Sequence, residues 1–276
     1  MLHEALKHWK ELGFTVKPKL IDVFDKGLNH YCGLLESGGD KFVIKVFTHS
    51  FERAIEAEYL GSEAHVSPTI LSAANNIAVY QYIPNRRFKD SDLAHLCASL
   101  KATHSIKPIA HQGLNHQALD LLSVCDSYLV GSPSRLQQYH LQLLALLKEF
   151  TNDTTPLVFC HNDLVQENCL FDEQQAWFID WEFAQVNNPW FDLASIMLYF
   201  NLDNTQADVL LQSYFDNKHF HSSSRLCVLA KLCVLWCDLL WQVHTKGLKY
   251  IERNEERFKA LEKMAKTLNV ELRVKH

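Results

Sequence analysis

The sequence lacks any excess of positive charge. Its 276 residues include 27 lysines and arginines against 32 aspartates and glutamates, which gives a formal net charge of −5. A protein that binds nucleic acid gains most of its affinity by neutralising phosphates with basic side chains. The charge balance therefore argues against nucleic acid as the main partner.

Cysteine patterns that hold zinc or exchange disulfides are also missing. None of the eight cysteines forms a Cys-x-x-Cys pair, the spacing that zinc knuckles and dithiol redox sites use. Most of them lie in apolar runs, where a thiol behaves as a small hydrophobe. The first ten residues include Glu4 and two lysines but no apolar core, so no signal peptide is expected. We therefore expect a reduced, cytoplasmic protein.

No long apolar run is free of charge. The most apolar segment, Leu226 to Val243, is interrupted by Lys231 and Asp238. Charged side chains at the centre of a membrane span are costly, so we expect a buried core helix and no membrane insertion. The chain is 47% hydrophobic, which is enough for a large core and excludes a disordered protein.

The residue periodicity changes near residue 84. Before it, short segments rich in branched and aromatic residues indicate strands, with one helix at 51–63 and a hairpin turn at 37–40. After it, helical periodicity dominates, apart from a strand-like block at 157–182. We therefore predict a β-rich lobe over 1–83 and an α-rich lobe over 84–276. The predicted strands cover 19–25, 31–35, 41–47, 68–72 and 77–83, and the later helices 91–103, 115–129, 134–150, 191–200, 205–215, 225–244 and 251–268.

Two apolar segments of the α-rich part run into polar side chains. Asp163 and Asn168 follow the first segment, five positions apart, and Asp180 ends the second. In phosphoryl transfer, an aspartate accepts the proton of the attacking hydroxyl, while a second carboxylate and an amide oxygen hold magnesium. The order of the residues predicts Asp163 as the base, and Asn168 and Asp180 as Mg²⁺ ligands.

These motifs resemble those of one enzyme superfamily. His161-x-Asp163-x-x-x-x-Asn168, followed by Ile179-Asp180-Trp181-Glu182, is similar to the aminoglycoside phosphotransferase and choline kinase superfamily, which comprises small-molecule relatives of protein kinases. The resemblance covers nearly the whole chain. It implies an α+β fold with two lobes, a small antiparallel sheet lobe and a larger helical lobe. It also implies an enzyme that uses ATP and Mg²⁺ to phosphorylate a small alcohol.

The resemblance assigns an ion pair to the β-rich lobe. Lys45 lies in an apolar strand, where an unpaired ammonium group would be costly. It looks like the family's lysine that meets the nucleotide phosphates. Glu56 looks like the helix glutamate that pairs with this lysine, with Glu52 and Glu58 as competing candidates.

Other nucleotide contacts are implied by position. The sequence contains no Gly-x-x-x-x-Gly-Lys-Ser/Thr loop, which excludes P-loop chemistry. Gly27 and Asn29 occupy the place of the family's nucleotide-binding loop, although the segment could equally be a plain turn. Gln81 and Ile83 resemble the hinge whose backbone groups bind adenine.

Several residues near the motifs are expected to be structural. We expect His161 and His104 to organise their surroundings, and Asp192 to anchor the catalytic loop or cap a helix. Glu167 stands where relatives often have glycine, which could change how the loop meets the acceptor. We assign no histidine to a metal.

The acceptor is the least determined part of the prediction. Trp236 and Trp241 are five positions apart on one helix and cannot share a face, so at most one of them lines a pocket. We favour Trp241 for a cation and Glu182 for an amino group, and expect Asp238 to form an internal salt bridge. A choline- or ethanolamine-like alcohol ranks first, thiamine second and an aminoglycoside third.

Two other classes of protein remain open. One is a non-catalytic nucleotide-binding protein of the same fold. The other is a metal hydrolase that uses His161, Asp163 and Asp180 as ligands, which would leave Lys45 and Asn168 without a role.

Overall fold

The chain folds into two compact units in the computed structural model. The structure describes residues 1–24, 30–49, 51–107, 117–247 and 249–274, with residue 252 described by its backbone alone. One unit comprises Met1–His116 and Gln166–Gln185, and the other comprises Gln117–Val165 and Val186–His276. These units are defined by packing. The lobes 1–83 and 84–276 are inferred from residue periodicity, and that division of the chain stays a prediction.

The first unit is built around an antiparallel sheet with the strand order β1-β2-β3-β5-β4. The hairpin turn between β2 and β3 forms as predicted, because Ser37 pairs with Asp40 across Gly38 and Gly39, which have φ angles of 64° and 94°. Positive φ at both central positions matches the twist of the flanking strands and favours glycine. The strands are β1 Lys19–Phe24, β2 His30–Ser37, β3 Asp40–Phe47, β4 Ile70–Ala74 and β5 Ile77–Gln81.

Each face of this sheet covers a separate apolar cluster. One cluster joins Leu35, Ile44 and Val79 to the N-terminal segment, and the other joins Phe47, Ala78 and Tyr80 to the helix over 51–63. Side chains alternate between the faces of a strand, so Lys45 lies on the same face as Phe47. The remaining elements of this unit are α1 Leu2–Ala5, α2 Phe51–Glu63, α3 Leu93–Ser105, β7 Cys169–Phe171 and β8 Ala176–Phe178.

The second unit is mainly helical. Its short strand β6 Val158–Cys160 pairs with β9 Gln185–Asn187, whose first residue is the last of the first unit. The helices are α4 Leu121–Leu129, α5 Ser134–Thr151, α6 Trp190–Tyr199, α7 Asn204–Phe215, α8 Arg225–Lys246, α9 Lys249–Arg253 and α10 Glu255–Thr267.

Helix α8 forms the core of this unit and packs against α4, α5, α6 and α10. Of the helices in the described ranges, it alone is long and apolar enough to cross a membrane, with a mean hydropathy of 1.8 over its most apolar window. However, 61% of that window is buried inside the protein. The burial agrees with the core helix that the sequence predicts.

The sheet and the helices confirm the predicted α+β class, with three local corrections. The helix predicted over 115–129 begins only at Leu121, because Asp120 caps it by accepting a hydrogen bond from the backbone N–H of Ser123 at 3.1 Å. The helix predicted over 251–268 is two helices separated at Asn254. The short helix α1 has no counterpart in the prediction.

Candidate active site

The side chain of Lys45 lies at the centre of a buried charge cluster in the first unit. Its Nζ donates hydrogen bonds to Oε1 of Glu58 at 3.0 Å and to Oδ1 of Asp180 at 2.9 Å. It also lies 4.6 Å from the ring centroid of Phe47. Burial alone would lower the pKa of Lys45, but the charges of Glu58 and Asp180 outweigh burial and raise that pKa well above its ordinary value. Lys45 is therefore a fixed cation in an apolar strand.

The glutamate that pairs with Lys45 is Glu58, which corrects the prediction of Glu56. Glu58 is 3% exposed and shares the inner face of α2 with Ala54 and Gly61, at the spacing of successive helical turns. Glu56 is two positions away, about 200° around the helix, and cannot reach the same point. Among the described residues, Oε2 of Glu56 has no hydrogen-bond partner.

A tyrosine that the sequence analysis missed completes this pair. The hydroxyl of Tyr80, on β5, donates a hydrogen bond to Oε2 of Glu58. Burial, together with the negative charge of Glu58, raises the pKa of Tyr80 well above its ordinary value. Tyr80 therefore stays protonated and holds Glu58 in place. The sequence feature that could have identified Tyr80 is its position one residue before Gln81, because this position lies on the face of the sheet that α2 covers.

Asp180 is presented by an unusual turn. It follows β8 and has φ 66° and ψ 61°, the left-handed conformation that aspartate tolerates better than most residues. The next residue, Trp181, is fully buried against α2, where a Cβ on Gly61 would lie 2.7 Å from Cζ2 of the indole. The indole N–H donates to the carbonyl oxygen of Phe178 at 3.1 Å. This packing sets the direction in which Asp180 leaves the strand.

The hairpin β7–β8 brings the backbone of Asn168 beside Ile179, the residue before Asp180. Asn168 ends a short 3-10 turn, and its carbonyl oxygen accepts a hydrogen bond from the N–H of Ile179, the residue before Asp180, at 3.0 Å. Carboxylate and amide oxygens are the ligands that Mg²⁺ prefers in proteins. The donor set of Asn168 and Asp180 therefore fits magnesium.

The loop that carries Asp163 belongs to the second unit. Asp192, in the first turn of α6, accepts hydrogen bonds from the backbone N–H groups of His161 and Asn162, each at 2.8 Å. Asn162 has a φ of 65°, and its Oδ1 accepts a hydrogen bond from Nδ2 of Asn187 at 2.8 Å. These contacts confirm that Asp192 anchors the loop that carries Asp163, while the catalytic role of that loop stays a prediction. The predicted meeting of Asp163 with Asn168 and Asp180 stays a prediction.

The predicted hinge lies at the end of β5. The N–H of Gln81 donates to the carbonyl oxygen of Thr69 at 2.9 Å, and the side chain of Ile83 is buried. If Gln81 contacts adenine through its backbone, only its carbonyl oxygen can do so. The adenine contacts of Gln81 and Ile83 stay predictions, and Gly27 and Asn29 lie outside the described residues.

The two predicted substrate residues lie in different units. Glu182 is in the first unit, where its Oε2 lies 3.5 Å from Nε2 of His30 and 3.7 Å from Nε2 of His49. Trp241 is a half-buried residue of α8 in the second unit. Trp236 is fully buried, and its indole N–H donates to Nδ1 of His140 at 3.3 Å, so Trp236 is the core residue of the two tryptophans.

The predicted internal salt bridge of Asp238 is confirmed. Its carboxylate pairs with Arg257 and accepts hydrogen bonds from the hydroxyl of Tyr199 at 2.6 Å and from Nε2 of Gln242 at 3.2 Å. The pKa of Tyr199 is raised above its ordinary value, first by burial and then by the charge of Asp238. The carboxylate of Asp238 is thus paired and hydrogen-bonded within the second unit.

Comparison with known proteins places the chain in a family. Residues 77–223, just over half of the chain, match the model of the phosphotransferase enzyme family. The chain is 24% identical to Protein LicA of Haemophilus influenzae in an alignment of 272 positions. The alignment covers 86% of this chain and 79% of that protein.

Solved structures share the fold at low sequence identity. Choline kinase LicA from Streptococcus pneumoniae matches with a TM-score of 0.72 at 15% identity, over 98% of this chain and 99% of that one. A structure of LicA in complex with AMP matches with a TM-score of 0.70 at 16% identity, over 96% and 97% of the two chains. The resemblance seen in the sequence motifs is thereby confirmed, as is the expectation of an enzyme. The chain belongs to the phosphotransferase enzyme family.

Proposed function

We propose that the protein transfers the γ-phosphate of ATP to the hydroxyl of a small cationic alcohol, with choline or ethanolamine as the type of acceptor. The observation that carries this proposal is the cluster in which the buried Lys45 contacts the buried Glu58 and the partly exposed Asp180. A lysine held between two carboxylates presents a fixed positive charge beside a magnesium-binding aspartate. Phosphoryl transfer depends on such preorganised charge around the nucleotide phosphates.

The residues of the first unit take the nucleotide side of the reaction. Lys45 binds phosphate oxygens, and Glu58, supported by Tyr80, keeps the ammonium group in position. Asp180 and Asn168 would hold Mg²⁺, which neutralises charge on the phosphates when it is bound. The relative solved with AMP supports the use of an adenine nucleotide.

Asp163 is the proposed base. A carboxylate on a loop that is fixed at its backbone can accept the proton of the acceptor hydroxyl as the oxygen attacks phosphorus. Asp192 supplies that fixation by binding two consecutive N–H groups of the loop. Asp192 is therefore a positioning residue, and Asp163 is the proposed catalytic residue.

The type of acceptor is inferred from the side chains that could bind its positive charge and from the names of the relatives. A choline-like cation can be met by the carboxylate of Glu182 and by the ring of Trp241. The relatives named for choline kinase support choline over thiamine or an aminoglycoside, and the intact set of Lys45, Asp163 and Asn168 argues against a non-catalytic protein. A kinase that uses ATP is expected to act in the cytoplasm.

An acceptor panel tests the proposal. ADP release is measured with Mg²⁺ and ATP in the presence of choline, ethanolamine, thiamine or an aminoglycoside. We expect choline or ethanolamine to give the highest kcat/KM. Asp163→Asn should reduce turnover by at least about a thousandfold while ADP still raises the melting temperature. Asp90→Asn, an exposed aspartate, is the matched control and should keep full activity. Full activity of Asp163→Asn, or turnover with none of the four acceptors, would contradict the proposal.

A further inference from the structure

A histidine and two carboxylates of the first unit converge on one point. His30 is the first residue of β2, and Asp180 and Glu182 flank Trp181 after β8. One ligand atom from each side chain, an imidazole nitrogen and two carboxylate oxygens, lies within 4.8 Å of the other two. No histidine has a metal-binding role in the proposed function.

His30 is buried and directed into this group of atoms. Only 6% of the residue is exposed, and among the described residues its Nε2 makes no hydrogen bond. The Oε2 atom of Glu182 lies 3.5 Å from Nε2, which is longer than a hydrogen bond between such atoms. A tetrahedral ion with bonds of about 2.0–2.2 Å separates neighbouring ligand atoms by roughly 3.3–3.6 Å. The spacing therefore suits two ligands of one metal ion.

A second histidine approaches the same carboxylate oxygen. The Nε2 atom of His49 lies 3.7 Å from Oε2 of Glu182, and the rings of His30 and His49 are 5.2 Å apart. Nδ1 of His49 lies 2.9 Å from Oγ1 of Thr48. If Nδ1–H donates to this hydroxyl, the lone pair of Nε2 is left for a metal, as is usual for histidine ligands.

Two contacts of the ligand residues oppose metal binding. Lys45 donates to Oδ1 of Asp180 at 2.9 Å, so an ion must share this carboxylate with the ammonium group. The contact at His30 is weak. The backbone N–H of Thr48 donates to Nδ1 of His30 at 3.4 Å, whereas such bonds are ordinarily about 2.9 Å long. An ion on Nε2 requires the ring proton on Nδ1, so the imidazole must turn away from this N–H. The site loses a long hydrogen bond and gains a coordinate bond.

We propose that His30, Asp180 and Glu182, with His49 as a fourth ligand, form a site for a transition-metal dication such as Co²⁺ or Zn²⁺. Imidazole nitrogen suits these ions, whereas Mg²⁺ favours sites made of oxygen alone. The inference touches the proposed function through two residues: Asp180, which it shares with the Mg²⁺ site, and Glu182, which is also proposed to meet the cation of the acceptor. An ion held by His30 would compete with Mg²⁺ for that carboxylate.

The test is a Co²⁺ titration of the metal-free full-length chain without nucleotide or acceptor. Equilibrium dialysis gives the stoichiometry, and the visible spectrum distinguishes four-coordinate from six-coordinate Co²⁺. We expect one tight equivalent with the intense bands of a four-coordinate ion. His30→Asn, which keeps a polar group near Thr48 but removes Nε2, should weaken Co²⁺ binding by at least about tenfold. His3→Ala, which removes an exposed histidine, is the control and should bind Co²⁺ like the wild type.

Three results would overturn the inference: unchanged affinity in His30→Asn, a six-coordinate spectrum, or a near-ultraviolet thiolate band that places the ion on cysteine. If His30→Asn does not fold, His49→Ala decides, because the His49 side chain is 51% exposed and can be removed without disturbing the core. Retained Co²⁺ binding with no kinase activity would contradict only the proposed function. Mg²⁺-dependent activity without the Co²⁺ site would contradict only this inference.

Discussion

Replacing Glu58 by glutamine tests the charge cluster that carries the functional proposal. The substitution keeps the shape of the side chain and removes its charge. Glu58 is 3% exposed and accepts hydrogen bonds from Lys45 and Tyr80. After the change, Lys45 keeps one carboxylate, Asp180, and Tyr80 keeps a neutral acceptor.

The size of the effect follows from these contacts. Breaking a buried ion pair by removing one partner costs about 3–5 kcal/mol. Because Asp180 still compensates Lys45, we expect a loss near the lower limit, about 3 kcal/mol, in the free energy of unfolding. If a similar energy is lost in the transition state, kcat/KM falls roughly a hundredfold, since each 1.4 kcal/mol is a factor of about ten.

Glu56→Gln is the matched control on the same helix. The Oε2 atom of Glu56 has no hydrogen-bond partner in the part of the chain that the structure describes. Its neutralisation breaks no ion pair with a described residue and should change the free energy of unfolding by less than about 0.5 kcal/mol. Urea denaturation and ADP release are measured for both variants. If Glu56→Gln loses as much stability and activity as Glu58→Gln, the pairing of Lys45 with Glu58 is refuted.

Three further predictions concern packing, loop anchoring and pH. Gly61→Ala places a methyl group against Trp181 and should lower the free energy of unfolding by about 1–3 kcal/mol in chemical denaturation, whereas Ser62→Ala should not. Asp192→Asn should lower kcat roughly tenfold and leave the KM for ATP unchanged, and an effect on KM alone would contradict its anchoring role. Burial lowers the pKa of His140 and outweighs the opposing charge of Asp126. The stability that neutral His140 provides is therefore present above its unfolded pKa of about 6.5 and lost as the pH falls, so the wild type should lose more stability than His140→Gln between pH 7 and pH 5.5. Equal losses in the two proteins would contradict this assignment.

Features set by local sequence could be predicted. The bounds of α2, Phe51–Glu63, agree with the predicted helix, and the glycines at 38 and 39 mark the hairpin. Asp238 could be assigned a structural role because a charged group inside an apolar helix needs a partner. Asp192 could be assigned one because it lies at the start of a predicted helix, as in the family pattern. Each of these inferences used residues close together in the chain or a rule that holds in any fold.

The sequence could not identify Glu58, instead of Glu56, as the partner of Lys45, because the apolar pattern of α2 is ambiguous. Tyr59, the aromatic neighbour of Glu58, is 43% exposed, whereas the inner face contains Ala54, Glu58 and Gly61. The residue on that face is charged because Lys45, thirteen positions away, neutralises it. A pattern of hydrophobic residues contains no information about such a charged partner.

The bounds of the short strands and the long-range contacts escaped prediction. The predicted strand-like block over 157–182 contains β6, β7 and β8, but each is three residues long, too short for an alternating pattern to give its bounds, and β9 lies outside the predicted block. The approach of His30 and His49 to Glu182 joins segments more than 130 residues apart. It depends on the hairpin β7–β8 and on the left-handed turn at Asp180. The Ile179–Glu182 motif marks the position of this turn but does not say which residues lie opposite it.

The most direct test of the central claim is the identity of the product. The wild-type protein is incubated with ATP, Mg²⁺ and choline, and the acceptor is analysed by mass spectrometry and by ³¹P NMR. The account predicts a phosphate monoester on the hydroxyl oxygen of choline, formed in a one-to-one ratio with ADP and absent with Asp163→Asn. Release of inorganic phosphate with unmodified choline, or the same phosphorylated product from Asp163→Asn, would contradict it.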